Sequence, residues 1–156
     1  RSILLIMLTF DRENITEAGT IYFPEKKYPF TRISEPKNRG EFMAPPGASS
    51  LLVEIPVDCG RLFSVQQKKI LVRDVIDKLT DTGWIEKKNI INIYLERMDY
   101  AYPVLDLGYR KRVGKIMAYL SKFRNLFLSG RNSLFTYSHF HDMMEMGQNV
   151  AVLHSE

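Results

Sequence analysis

The chain has 156 residues, about the length of one ordinary domain, and 45% of them are hydrophobic, which excludes an intrinsically disordered protein. Its 22 Lys and Arg residues against 18 Asp and Glu residues leave a net charge of only +4, so the strongly basic surface of a nucleic-acid-binding protein is not expected. The longest apolar run, residues 3–8, is too short for a membrane span, which needs about 20 residues.

The first third of the chain is predicted to consist of strands joined by turns. The strands predicted from apolar, β-branched and aromatic runs are residues 3–10, 20–23, 28–33 and 50–55. Pro56 is expected to end the last of them. Before that strand, residues 34–50 contain three prolines and two glycines, which indicates a long surface loop.

From residue 65 the spacing of apolar residues changes to that of a helix. They recur every three or four positions up to Leu79, with Ser64 at the position of an N-cap and Gly83 after the last turn. Residues 89–96 then alternate between apolar and polar side chains, which predicts a half-buried strand.

A second helix follows with Asp106 as its predicted N-cap, and a third helix begins near His139. Between these helices, residues 125–128 are predicted to form a short buried strand that enters a tight turn at Gly130. The order of the elements favours an α+β fold with a largely antiparallel sheet, packed helices and a C-terminal strand–turn–helix.

Candidate nucleophiles and metal ligands are few. Cys59 is the only cysteine, which excludes a disulfide and a zinc site built on a cysteine pair, fits a reducing compartment such as the cytoplasm, and predicts a small buried residue. His139 and His141 have Asp142 beside them, but two positions apart on a helix their rings point about 200° away from each other. We therefore predict no metal site and interpret both histidines as helix-capping or solvated residues.

One segment indicates a site for a negatively charged ligand. Backbone N–H groups at the Gly130 turn and at the helix start near Phe140 and His141 would point outward, unpaired within the helix. Arg131 adds a permanent positive charge whose fork geometry suits phosphate or pyrophosphate. An ordinary strand-to-helix connection with a glycine turn would have the same sequence, so anion binding and a purely structural turn both stay open.

The second half of the chain also contains a series of motifs in one register. The motifs are Tyr-Pro at residues 102–103, Gly-Arg at 130–131, aromatic-x-Tyr at 135–137 and Met-Gly at 146–147. This series resembles the C-terminal end of FAD-dependent oxidoreductases, in the group that includes protoporphyrinogen oxidase-like, amine oxidase-like and UDP-galactopyranose mutase proteins. The resemblance covers residues 90–150 well and the strand-rich first half more loosely.

The resemblance implies FAD as the cofactor and assigns residues 105–156 to the FAD-binding region. Gly130 and Arg131 would lie against the pyrophosphate, and the helix that begins near Phe140 and His141 would direct its positive end at the pyrimidine edge of the isoalloxazine. The nine glycines never form the dinucleotide fingerprint G-x-G-x-x-G. Because the sequence also begins with Arg rather than Met, we expect a fragment of a longer protein that binds FAD poorly and is inactive alone.

The resemblance also implies that residues 1–104, a strand-rich part with one inserted helix, bind the substrate. In the mutases, the residues that match Arg131 and Tyr137 help to hold the sugar-nucleotide diphosphate beside the flavin. Tyr102 matches a position near the substrate cleft. The implied substrate is a polar small molecule such as a nucleotide sugar, in the synthesis of envelope polysaccharide such as lipopolysaccharide.

Two functions from different classes stay open. One is a flavin-dependent oxidoreductase or mutase; the other is a non-catalytic α+β binding or assembly domain, because no nucleophile–base pair is evident. The chain departs from the mutases at His139 and His141, where they carry acidic residues. No nucleic-acid partner is expected, and apolar surface left exposed by a missing dinucleotide-binding unit would favour a homo-oligomer.

Overall fold

The structure, a computed structural model, describes residues 1–154, which divide into two compact units. The first unit runs from Arg1 to Ala101 and the second starts at Tyr102. The first holds the sheet and one helix, and the second holds three helices. None of the helices within the described residues combines the length and the apolar composition needed to span a bilayer.

Five antiparallel strands form one sheet in the first unit, in the order β2-β3-β4-β1-β5. The strands are β1 (Ser2–Phe10), β2 (Thr20–Tyr22), β3 (Arg32–Ser34), β4 (Ser49–Val57) and β5 (Ile90–Met98). The predicted α+β fold with a largely antiparallel sheet is confirmed. The predicted third strand is shorter than expected, because only its last residues reach the ladder with β4.

Helix α1 (Val65–Asp81) connects β4 to β5. Its start is as predicted: Ser64 accepts a hydrogen bond from the Gln67 backbone, and the Gln67 side chain accepts one from the Ser64 backbone, which is a complete capping box. The helix buries Val75 and Leu79 in the same core as the inward side chains of β1 and β4. Periodicity and capping, both local signals, therefore agree with the packing.

Pro56 was expected to end the strand but lies inside β4, where it pairs with Ile3 of β1. The Glu54 carbonyl accepts from Thr31 N at 3.0 Å, so the backbone groups of Glu54 and, two residues on, of Pro56 face the β3 side of the strand. β3 pairs with β4 only at Leu52–Glu54. The nitrogen of Pro56, which carries no hydrogen, therefore faces an edge of β4 that β3 does not reach. No ladder hydrogen bond is lost there, and the ladder with β1 is unaffected.

The fully buried carboxylate of Glu35 joins the loop after β1 to the loop before β4. It accepts hydrogen bonds from Ile15 N at 2.9 Å, Thr16 N at 2.7 Å and Ser49 Oγ at 2.6 Å. The Thr16 hydroxyl and the Asn38 amide complete its shell at 3.0 and 3.3 Å. The predicted long loop is thus held in place by one charge with hydrogen-bonded neighbours, and it contains two short 3-10 turns.

In the second unit the helices are α2 (Tyr109–Leu120), α3 (Gly130–Ser133) and α4 (Phe140–His154). The predicted N-cap, Asp106, is wrong: Gly108 occupies that position with φ +88°, a conformation that favours glycine, while the Asp106 carboxylate pairs with Arg112.

The strand predicted at residues 125–128 is also wrong. The segment is irregular and mostly exposed, so the predicted strand–turn–helix is a loop, the one-turn helix α3 and then α4. A strand needs a neighbouring strand to satisfy its backbone, and all strands of the described residues belong to the first unit. Side chains of this segment instead line a cleft of about 280 Å³ together with Met117, Leu120 and Val150.

No side chain of residues 102–152 is fully buried. Large apolar residues on this unit are well exposed, among them Ile116 at 56%, Phe140 at 74% and Leu107 at 101%. The three helices therefore present apolar surface without forming a core of their own.

In the first unit, Cys59 is exposed, which contradicts the expected burial. A hydrogen bond from Ser2 lowers the pKa of its thiol.

We expect Glu35→Ala to lower the free energy of unfolding by about 2–4 kcal/mol, because it leaves buried donors without their acceptor. Glu17 is exposed and serves as the matched control. Glu17→Ala is expected to change the free energy of unfolding by less than about 0.5 kcal/mol. Urea unfolding followed by the fluorescence of Trp84 measures both. Equal midpoints for the two variants would show that the Glu35 carboxylate does not hold the loops.

Candidate functional site

Gly130 begins α3 in the left-handed conformation, with φ +81°. A Cβ built at this position would meet no atom within 4 Å. The requirement for glycine is therefore conformational rather than steric, and the space beside its backbone is open to a ligand. The resemblance to FAD-dependent oxidoreductases predicts that this turn lies against a pyrophosphate.

Arg131 follows in α3 and is half-buried. Its backbone carbonyl accepts from Thr136 N at 3.0 Å, which folds the chain back over the short helix. Within residues 1–154 its guanidinium forms no ion pair with a carboxylate. The charge of Arg131 is thus available to an anionic ligand. Because α3 contacts α4, Arg131 belongs to the same unit as the second predicted group of donors, the N–H groups at the start of α4.

The first turn of α4 supplies that donor group. The first backbone bond of the helix runs from Met143 N to His139 O at 3.2 Å, so the N–H groups of Phe140 and His141 precede it and have no carbonyl of the helix to bind. The Asp142 carboxylate accepts from His139 N at 2.7 Å. A negative charge of the helix itself thus already lies at this positive end and weakens its attraction for an external anion.

The two tyrosines expected near a substrate are brought together. The rings of Tyr102 and Tyr137 stack with their centroids 6.3 Å apart and their planes inclined by 26°. The Tyr137 hydroxyl donates to the carbonyl of Pro103 at 3.0 Å, which ties residue 137 to the Tyr-Pro motif. Tyr137 keeps 57% of its surface exposed. The pair therefore presents an accessible aromatic surface.

The rings of His139 and His141 also lie together, stacked at 5.8 Å and 10°. They do not diverge as two helical positions would, because His139 lies just before α4 and has no helical constraint. His141 Nε2 lies 3.4 Å from the Asp142 carboxylate. Across the described part of the chain, no three His, Cys, Asp or Glu side chains are grouped as metal ligands would be.

A charged pair on the sheet was not among the predicted site residues. Arg32 and Glu54 lie directly opposite each other on β3 and β4, and Arg32 Nε donates to Glu54 Oε1 at 2.9 Å. Glu54 is only 7% exposed, and the Arg32 guanidinium lies 5.9 Å from the ring centre of Tyr22. Because Val53 and Ile55 point into the core, Glu54 and its partner occupy the other face of the sheet.

A local signal for this pair does exist in the sequence. A single acidic residue stands between two buried β-branched residues in Val53-Glu54-Ile55, and a charge at the centre of a strand is unusual. Its partner Arg32 could not be identified without the strand order, because the two residues are far apart in sequence and meet only through the β3–β4 register.

Comparison with protein-family profiles finds no match for this chain, and neither does comparison with curated proteins. Two solved structures are similar to it. A crystal structure of reduced UDP-galactopyranose mutase has a TM-score of 0.70 and 20% identity, and the match covers 85% of this chain and 28% of that one. A protein from Exiguobacterium sp. 255-15 assigned as a protoporphyrinogen oxidase has a TM-score of 0.65 and 13% identity, with coverage of 99% and 35%.

The chain thus spans about a third of the length of these two proteins and shares their fold over most of its own. Both belong, by name, to the FAD-dependent group that the motifs at residues 102–147 resemble. The expected likeness to this group is confirmed at the level of the fold. The roles of Gly130, Arg131, Tyr137 and the other site residues stay predictions.

Two glycine substitutions test the conformational requirement at Gly130. We expect Gly130→Ala to destabilise the second unit by about 1–2 kcal/mol, because alanine is strained at φ +81°. Gly147→Ala in α4, where no atom lies within 4 Å of the new Cβ and φ is negative, is expected to stabilise the helix by up to about 1 kcal/mol. Amide hydrogen exchange in residues 130–150 reports both, and the same sign for the two variants would refute the assignment.

Proposed function

We propose that this chain is part of an FAD-dependent oxidoreductase or mutase that acts on a polar small molecule, with a nucleotide sugar as the substrate class. The proposal rests on one observation: the fold matches two enzymes of this group over 85% and 99% of the chain. One of them is a mutase described in its reduced form and named for a UDP-sugar, which supports both a redox cofactor and a nucleotide-sugar substrate.

The residues fit an anionic part of the cofactor. Gly130 leaves open space beside its backbone, Arg131 has no acidic partner within residues 1–154, and the Phe140 and His141 amides lie ahead of the first helical bond. FAD, when bound, supplies the redox chemistry. The chain itself contains no glycine fingerprint for the ADP half, so we expect the 156 residues alone to bind FAD weakly and to be inactive.

Arg131, Tyr137 and Tyr102 are the proposed substrate-binding residues. A guanidinium forms paired hydrogen bonds with a diphosphate, and the stacked tyrosines offer an apolar surface with a polar edge, which suits a sugar or a base. Nucleotide sugars are donors for polysaccharide synthesis, so the proposed process is the formation of envelope polysaccharide such as lipopolysaccharide. The proposed compartment is the cytoplasm, which the single unpaired cysteine favours.

A non-catalytic binding or assembly domain is the second candidate. It is favoured by the position of Asp142, whose carboxylate already caps the start of α4. In that case the Gly130 turn is only a structural connection.

The test uses the complete product of the gene, with Arg131→Ala compared with Arg124→Ala, an exposed arginine in the same unit. We expect the wild-type protein to purify with bound FAD and to bind UDP and UDP-galactose in calorimetry. Arg131→Ala is expected to weaken nucleotide binding about 10- to 100-fold, the value of a charge-assisted hydrogen bond, while Arg124→Ala leaves it unchanged. A colourless protein that neither takes up FAD nor binds UDP would overturn the flavoenzyme proposal and leave the binding or assembly domain as the better account.

A further inference from the structure

An open groove of about 710 Å³ lies between α1 and β5. Its apolar lining includes Val72 and Ile76 of α1 and Ile93 and Leu95 of β5. Ile93 points to the same face as the core but is 45% exposed, so the predicted burial of this strand is only partly achieved. The groove therefore exposes side chains that an antiparallel sheet ordinarily covers.

The same strand has a free edge. β5 is nine residues long and is the last strand in the sheet order, paired only with β1 within the described residues. Asn92 N donates to Thr9 Oγ1 of β1 at 3.1 Å, so the backbone groups of Asn92 face β1. The backbone N–H and C=O groups of successive residues point to opposite edges of a strand. The groups of Ile93 and Leu95 therefore point away from β1, towards the outer edge of the sheet. The residues that line the groove thus also offer unpaired backbone donors and acceptors.

Positive charge lines the α1 side of the groove. The exposed side chains of Lys68, Lys69 and Arg73 line it, and within residues 1–154 none of the three has an ion pair with a carboxylate. Asp77, the acidic residue in the lining, already forms an ion pair with Lys87 at 2.5 Å, and this contact lowers the pKa of its carboxyl. The net charge at the groove is therefore strongly positive.

This charge decides which occupant fits. A second copy of the chain could pair its own β5 edge to edge, but it would bring Lys68, Lys69 and Arg73 of both copies close together in a groove of low polarity. An acidic segment would instead neutralise them. Only a polypeptide offers backbone groups for the free edge of β5, which distinguishes it from an anionic lipid surface.

We propose that the groove between α1 and β5 binds an extended segment of a partner protein, which adds to the sheet as a sixth strand beside β5. On its groove-facing side this segment carries apolar residues at the centre and acidic residues at the ends. The apolar residues contact Ile93, Leu95, Val72 and Ile76, and the acidic residues pair with the cations of α1. The inference is independent of the FAD proposal, because no residue of the second unit takes part.

The test uses a fluorescent nine-residue peptide that has three valines at the centre of one face, glutamate at both ends of that face and threonine on the other face. We expect saturable binding to the full chain by fluorescence anisotropy, and slower hydrogen exchange at the Ile93 and Leu95 amides in the complex. A peptide with lysine in place of glutamate, and one with N-methylated amides on its pairing edge, are expected to bind at least tenfold more weakly.

Charge reversal provides the second arm. The double variant Lys69→Glu/Arg73→Glu is expected to weaken binding of the glutamate peptide at least tenfold and to strengthen binding of the lysine peptide. Lys111→Glu/Lys115→Glu, on the exposed side of α2, changes the net charge equally and is expected to leave both unchanged.

Three results would overturn the proposal. One is the absence of peptide binding by the wild-type chain, and another is equal binding of the N-methylated peptide, which would exclude strand addition. The third is binding of phosphatidylglycerol vesicles, sensitive to Lys69→Glu/Arg73→Glu, in the absence of peptide binding, which would identify the groove as a membrane-facing surface.

Discussion

The pairing of β1 with β4 along one edge and with β5 along the other is the constraint on which the first unit depends. Every second residue of β1, from Leu4 to Phe10, is at most 1% exposed, and the register places these side chains opposite the inward residues of β4. A slip by one residue would reverse both faces of the sheet. The β1–β4 register therefore builds the core and turns Glu54 to the other face, where the separate β3–β4 register sets Arg32 opposite it. The strand order leaves the outer edge of β5 without a neighbouring strand within the described residues.

Local signals in the sequence were sufficient for much of this fold. The apolar run of β1 and the spacing and capping residues of α1 were predicted correctly, because each depends on neighbours within a few residues along the chain. Burial of β5 and the strand at residues 125–128 were predicted less well. Both depend on what packs beside the segment, and a pattern of apolar residues reports only that a side chain can be buried.

The candidate site divides in the same way. The sequence predicted a glycine turn at Gly130 and unpaired N–H groups in the first turn of α4, because both depend on local chain geometry. The bond from His139 N to Asp142 was not predicted, and it places a negative charge at the point expected to attract anions. Arg32 and Glu54 were missed because their contact exists only through strand order. The position of the turn is thus encoded locally, whereas the electrostatics of the site depend on the three-dimensional structure.

The second unit carries every residue of the proposed cofactor site but has no fully buried side chain up to residue 152. A segment without a core has little free energy of its own with which to offset chain entropy. An apolar surface supplied from outside the unit would add the burial that its own residues lack. By mass action, a ligand that binds the ordered form of the unit would also strengthen the association of the unit with such a surface. Ligand binding and assembly at this end of the chain would then be thermodynamically coupled, because both would stabilise the same ordered form.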